Sequence, residues 1–156
     1  MALAEPFADE TDRLAWHTRS ALPIAAVRRH RRLDVTAADM LEVSAMFFDT
    51  HVDDDGVERI LHQYTLEAHV DLDSHTVRDV TATPWVLPFA ECPFAAATAA
   101  RIVGQPVGRL REYIALEYWG PTTCTHLNDL LRTLADVPHL AMSIADTNGD
   151  PRSATS

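Results

Sequence analysis

The amino-acid sequence predicts an α+β fold: an antiparallel β-meander of three to four strands packed on one face by three C-terminal helices. Two observations carry this expectation. Between Leu41 and Thr83, apolar and polar residues alternate with a period of two, broken only at Asp-rich turns. Beyond Pro84 the apolar period lengthens to that of a helix, and Gly and Pro mark the joints. Strands first and helices second is the α+β order, so the helices should cover the apolar face of the sheet.

The elements follow in order. Residues 1–22 read as an acidic lead with a short helix near its end, stopped by Pro23. Residues 23–146 read as one α+β domain, with no internal repeat or linker. Ile24–Val35 holds a first strand of poor alternation. Leu41–Thr50 is a second, with Val43, Ala45 and Phe47 on one face and Met46 and Phe48 on the other. Asp53-Asp54-Asp55-Gly56 turns the chain as a solvated hairpin; its acids resemble a calcium loop, but strands rather than helices flank it. From Arg59 to Asp71, Ile60, His62, Tyr64, Leu66, Ala68 and Val70 share one nearly apolar face, as in a sheet packed on one side. Thr76–Thr83 returns as a further strand, and Pro84 and Pro88 break the strand pattern. Phe94–Val103 is alanine-rich and helical, with Gly104 placed to end it. Arg109–Trp119 is a second helix, stopped by Gly120-Pro121. A third helix runs to about Ala135, Pro138 breaks or kinks it, and His139–Ala145 continues helically. Residues 147–156 read as a disordered tail.

Composition narrows the function. The chain has 156 residues, 47% of them apolar, enough for one domain with a real core. Its 23 acids against 13 bases give a formal net charge of −10, which makes nucleic acid and anionic membrane poor partners. The basic run Arg28-Arg29-His30-Arg31-Arg32 reads as a solvated strand or loop rather than an anion site. No stretch is apolar enough to span a bilayer. Met1–Asp12 carries acids and no base, which argues against a signal peptide. Two cysteines make no disulfide scaffold, so a cytoplasmic protein with free thiols is expected.

The candidate chemistry centres on Gly120 through Leu131. A Gly-Pro turn stops one helix, and threonines offer side-chain oxygens to cap the next. Cys124 and His126 stand where that helix begins, and Leu127, Leu130, Leu131 and Leu134 recur as its buried face. A thiol at the positive end of a helix dipole ionises more readily than a free one. Cys92, followed by Pro93, also falls at a helix start, so the two helix ends could share one electropositive place. Asp49 and His51 end the second strand on one side, where a carboxylate and an imidazole can orient each other or join a metal site with the thiols. Trp85, Phe89, Phe94 and Trp119 could line an apolar substrate pocket. Each residue has a plainer reading too: buried cysteines and aromatics as core, histidines as hydrogen-bonded or solvated groups. Phosphate-binding glycine loops, G-x-S-x-G, H-E-x-x-H and C-x-x-C are absent from the sequence.

The order of parts resembles the bacterial domain-of-unknown-function family 2889. The resemblance rests on Asp49-Thr50-His51, Val70-Asp71, Val77-Arg78-Asp79-Val80, Cys92-Pro93, Val103-Gly104 and the C-T-H-L start within Gly120–Leu127. It covers roughly residues 24 to 140, with Thr123 where the family pattern usually has Gly. It implies the layout and no activity. A fainter similarity to NifU-type iron–sulfur scaffolds implies Asp49, Cys92, Cys124 and His126 around one metal; where those proteins have a further cysteine, His51 stands nearby.

Three functions stay open. The first is an enzyme acting on a small organic substrate by hydrolysis, isomerisation or lyase-type proton transfer. In it Cys124 or a metal supplies the nucleophile or Lewis acid, His126 moves protons and Asp49 orients a partner. The second is a non-catalytic metal or iron–sulfur module with Cys92, Cys124, His126 and Asp49 or His51 as ligands, taking zinc or iron. The third is a structural or partner-binding domain. No cofactor is certain and the oligomeric state is open, a homodimer included.

Overall fold

The computed structural model describes residues 20–87, 92–120 and 123–149. Its frame is a four-stranded antiparallel sheet in sequential order, the expected meander, followed by the helices. The strands are β1 (Val27–Ala37), β2 (Leu41–Val52), β3 (Glu58–Val70) and β4 (Val77–Val86). In β3 the period-two pattern appears as burial: His62, Tyr64, Leu66, Ala68 and Val70 are buried, and the residues between them are not.

The turns follow from local chemistry. Gly56, at φ +76°, takes the left-handed conformation that closes the β2–β3 hairpin, and its N–H donates to the Asp53 carbonyl at 2.9 Å. The Asp71 carboxylate organises the β3–β4 turn. One oxygen accepts from the backbone N–H groups of Asp73 and Ser74 and from the Ser74 hydroxyl; the other accepts from Arg78. These donors, the Ser74 N–H foremost, hold Asp71 well below the usual carboxylate range. Contrary to expectation, Pro84 does not end β4, which runs on to Val86. β4 is an edge strand, where a missing N–H leaves no ladder bond unmade.

The expected first helix is α1 (Cys92–Ala96) continued by a 3₁₀ segment, Ala97–Ile102, with Gly104 at φ +83° just beyond it. The second is a 3₁₀ turn, Val107–Arg109, leading into α2 (Leu110–Glu117). The third is α3 (Thr125–Thr133) with a 3₁₀ turn to Asp136, and the chain continues into α4 (Val137–Gly149). Pro138 sits in the first turn of α4, where its missing N–H costs nothing. α4 reaches Gly149, past the point at which a disordered tail was expected. Residues 150–156, and the expected helix of the acidic lead within residues 1–19, lie outside the described residues.

The core lies between the sheet and the helices. Leu41, Val43, Ala45 and Phe47 of β2 and Tyr64 and Leu66 of β3 join Ile102, Leu110, Ile114 and the leucines of α3. Leu127, Leu130, Leu131 and Leu134 are at most 1% exposed, as their spacing predicts. Burying each such side chain contributes roughly 1.5–3 kcal/mol before entropy is charged. Among the described residues, no helix is long and apolar enough to cross a membrane.

Candidate metal centre

Sheet register builds one side of the site. Arg29 on β1 pairs with Asp49 on β2, and Asp49 pairs with His62 on β3, so the three form one row across the sheet. Directly opposite residues share a face. The register shifts between Asp49 and Thr50, so the row stands at an irregularity where pairing is re-aimed.

The start of α3 builds the other side. Gly120, at φ +84°, turns the chain after α2. Cys124 is the residue flanking the helix, with extended backbone, and its carbonyl accepts the Asn128 N–H at 2.8 Å. The Thr123 hydroxyl does not cap the helix but donates back to the Gly120 carbonyl, and Cys124 makes no side-chain cap; Thr122 lies outside the described residues. What fixes the helix start is the leucine face beneath it and Asn128, whose amide donates to the Tyr118 carbonyl at 3.2 Å.

Three donors of different elements converge there. Sγ of Cys124 lies 4.0 Å from Nε2 of His62 and 3.9 Å from Nδ1 of His126. One ligand atom from each residue can be chosen so that all lie within 4.8 Å of one another. The imidazoles meet edge to face with centroids 4.0 Å apart, and Phe47 stacks against His126 at 5.8 Å. Behind His126, its Nε2 lies 3.4 Å from the Asp49 carboxylate. Asp49 is in turn held by two bonds from Arg29, each 2.7 Å. A sulfur and a nitrogen bound to one zinc sit roughly 3.5 Å apart, so the observed distances need only a small contraction. The donor set of one thiol and two imidazoles suits zinc and related divalent transition metals.

Electrostatics favour that use. Burial, and then the neighbouring His126, push His62 down to about 4. His126 is also lowered, chiefly by burial, with Asp49 opposing. Both rings are therefore neutral near pH 7, as ligands must be. Nδ1 of His62 has no hydrogen-bond partner among the described residues.

The structure sorts the residues expected from sequence. It brings Cys124, His126 and Asp49 together. Asp49 does not join the three converging atoms; it stands behind His126. His51 bonds Asp53 at 2.8 Å within the hairpin and is not one of the three converging residues. The side chain of Cys92, and all of Phe89, lie outside the described residues. Of the aromatic residues expected at a pocket, three stand on the surface. Trp85, Phe94 and Trp119 are 64%, 80% and 77% exposed, and Trp85 donates to Thr65 on the polar face of β3. The rings that do touch the cluster are Phe47 and Tyr64, held there as core.

His62 and Arg29 were missed. The signal for His62 was present: it is the one imidazole on the buried face of β3, only 2% exposed. Arg29 was hidden in a basic run whose solvated reading holds only in part. Arg29 and Arg31 both reach inward to carboxylates, Arg29 to Asp49 and both to Asp129 on α3.

The model of the family described as protein of unknown function (DUF2889) matches residues 27–139, a span that includes all of β1 to α3 and every residue of the cluster. No curated protein and no solved structure matches the chain.

Proposed function

Because the chain belongs to the DUF2889 family of proteins of unknown function, its activity has to be read from its own residues, and we propose that it is a metal-assisted enzyme acting on a small organic substrate. The observation that carries this is the convergence of His62, Cys124 and His126 within 4.8 Å. These three would hold a divalent metal, with zinc or iron as the candidates. Asp49 orients His126 from its far nitrogen, an arrangement that recurs behind metal-bound imidazoles.

Among the described residues three protein donors converge, the count of catalytic zinc sites, which keep a position for water or substrate; structural sites are closed by four. The His126 side chain is 33% exposed, so solvent reaches the cluster from that side. The metal would act as a Lewis acid and lower the pKa of a bound water. Hydrolysis fits this chemistry best, and isomerisation or lyase-type proton transfer fits it as well. A reducing cytoplasm would keep the Cys124 thiol available as a ligand. A non-catalytic metal module, expected with Cys92, Cys124, His126 and Asp49 or His51, would share Cys124 and His126 with this set and differ in turnover.

The test is elemental analysis of protein purified without chelator, followed by a panel of small esters, amides and phosphoesters. About one equivalent of zinc or iron per chain, with turnover that chelation removes and the metal restores, is the expected result. Protein that carries no metal and takes none up when supplied with Zn²⁺ or Fe²⁺ would sink the proposal. Stoichiometric metal without turnover on any substrate class would leave the non-catalytic module.

A further inference from the structure

Asp49 stands behind His126, and Arg29 stands behind Asp49. The Arg29 guanidinium meets the carboxylate as a fork, Nε to one oxygen and a terminal nitrogen to the other, both at 2.7 Å. Its remaining terminal nitrogen donates to Asp129 at 3.0 Å, one helical turn beyond His126 on α3. Arg31 donates to the same Asp129 oxygen. The guanidinium also lies 5.5 Å from the centre of the Phe47 ring, which stacks on His126. One side chain of the edge strand thus ties β2, α3 and the aromatic neighbour of His126 together.

We propose that Arg29 is a positioning residue of the metal centre: it holds Asp49 as an oriented carboxylate against Nε2 of His126 and so leaves Nδ1 turned to the thiol. The inference rests on the metal reading given above. Its physical basis is geometric. A carboxylate whose two oxygens are both held by one planar fork cannot rotate away, and Asp49 is only 7% exposed, so water does not substitute for the fork. A carboxylate on the far nitrogen fixes the tautomer and orientation of a ligating imidazole and raises its basicity toward the metal. Lysine keeps the charge but not the fork. The contact between Asp49 and His126, 3.4 Å, is the link through which Arg29 acts.

The test compares the full-length wild type with Arg29→Lys, Arg29→Gln, Asp49→Asn and the Arg29→Gln/Asp49→Asn double variant. Zn²⁺ affinity is read by competition with a chromophoric chelator, and the Co²⁺-loaded proteins are read by absorption. Arg29→Gln and Asp49→Asn should each weaken Zn²⁺ binding about 10–100-fold. The double variant should bind no more weakly than Asp49→Asn alone, because Arg29 acts through Asp49. The thiolate-to-Co²⁺ charge-transfer band should persist in all of them, since Cys124 is untouched. Wild-type affinity in Arg29→Gln, or losses that add in the double variant, would overturn the inference. If Arg29→Gln fails to fold, Arg29→Lys decides: weakened binding supports the fork, and unchanged binding overturns it. A wild type that binds neither Zn²⁺ nor Co²⁺ would instead defeat the metal reading itself, and the inference with it.

Discussion

His62 and His126 meet edge to face, their ring centroids 4.0 Å apart and their planes at 82°, although one lies within β3 and the other in the first turn of α3. Two imidazoles this close resist carrying charge together, and burial lowers the proton affinity of each further. The pair is therefore kept neutral beside a thiol. Neutral imidazoles beside a thiol are in the protonation state that ligation requires.

The first prediction concerns the ligands. Replacing His62 with Ala, or Cys124 with Ser, should reduce bound zinc from about one equivalent per chain to near none in protein prepared identically. Inductively coupled plasma analysis beside a circular dichroism spectrum checks this. A folded His62→Ala protein with full metal content would remove His62 from the site.

The second concerns the aromatics that sequence reasoning placed at the pocket. Trp119→Ala and Trp85→Ala should leave metal content and metal affinity unchanged, because both side chains are mostly exposed. Among the described residues, the hydrogen bond that Trp85→Ala breaks is the one to Thr65. A clear affinity loss in Trp119→Ala would show that this residue reaches the site.

The third concerns the turn after the first helical segment. Gly104 has φ +83°, and a Cβ added there would meet no atom within 4 Å. The cost of Gly104→Ala is thus conformational alone, about 1–2 kcal/mol. Urea unfolding of the variant measures it; a midpoint equal to wild type would mean the turn rearranges freely.

The fourth concerns acid. In the folded chain Asp71 titrates below its ordinary value of 3.8 because the Ser74 N–H and Arg78 hold its ionised form. The stabilisation is fully present above that ordinary value and is lost as pH falls through the folded one, since the unfolded chain then binds more protons. Wild-type urea midpoints should fall on acidification below about pH 4, and Asp71→Asn should start lower at neutral pH and fall less. Parallel pH dependences in the two proteins would contradict the assignment.

Much of the fold was legible because it rests on local rules. The alternation of β3 and the leucine spacing of α3 each have one buried arrangement, and both are seen. Pro84 misled because a proline breaks a central strand but not an edge one, and edge position is a property of the whole sheet. The helix starts at Cys124 as its flanking residues suggested, yet its anchor is the packing of Leu127, Leu130 and Leu131 and the bond from Asn128 to Tyr118, while the Thr123 hydroxyl turns back to Gly120.

The site divides in the same way. By itself the sequence determined that Cys124 and His126 open one helix, that Asp49 ends one strand, and that His62 lies on an apolar face. These follow from the periods of helix and strand, which each segment carries alone. Only the tertiary structure decided that Arg29, Asp49 and His62 form one row, that α3 lays Cys124 and His126 over it, and that His51 and the exposed tryptophans stay out. The reason is that strand register and helix docking minimise the exposed apolar area of the whole chain. That sum runs over contacts distant in sequence, and no local pattern contains it.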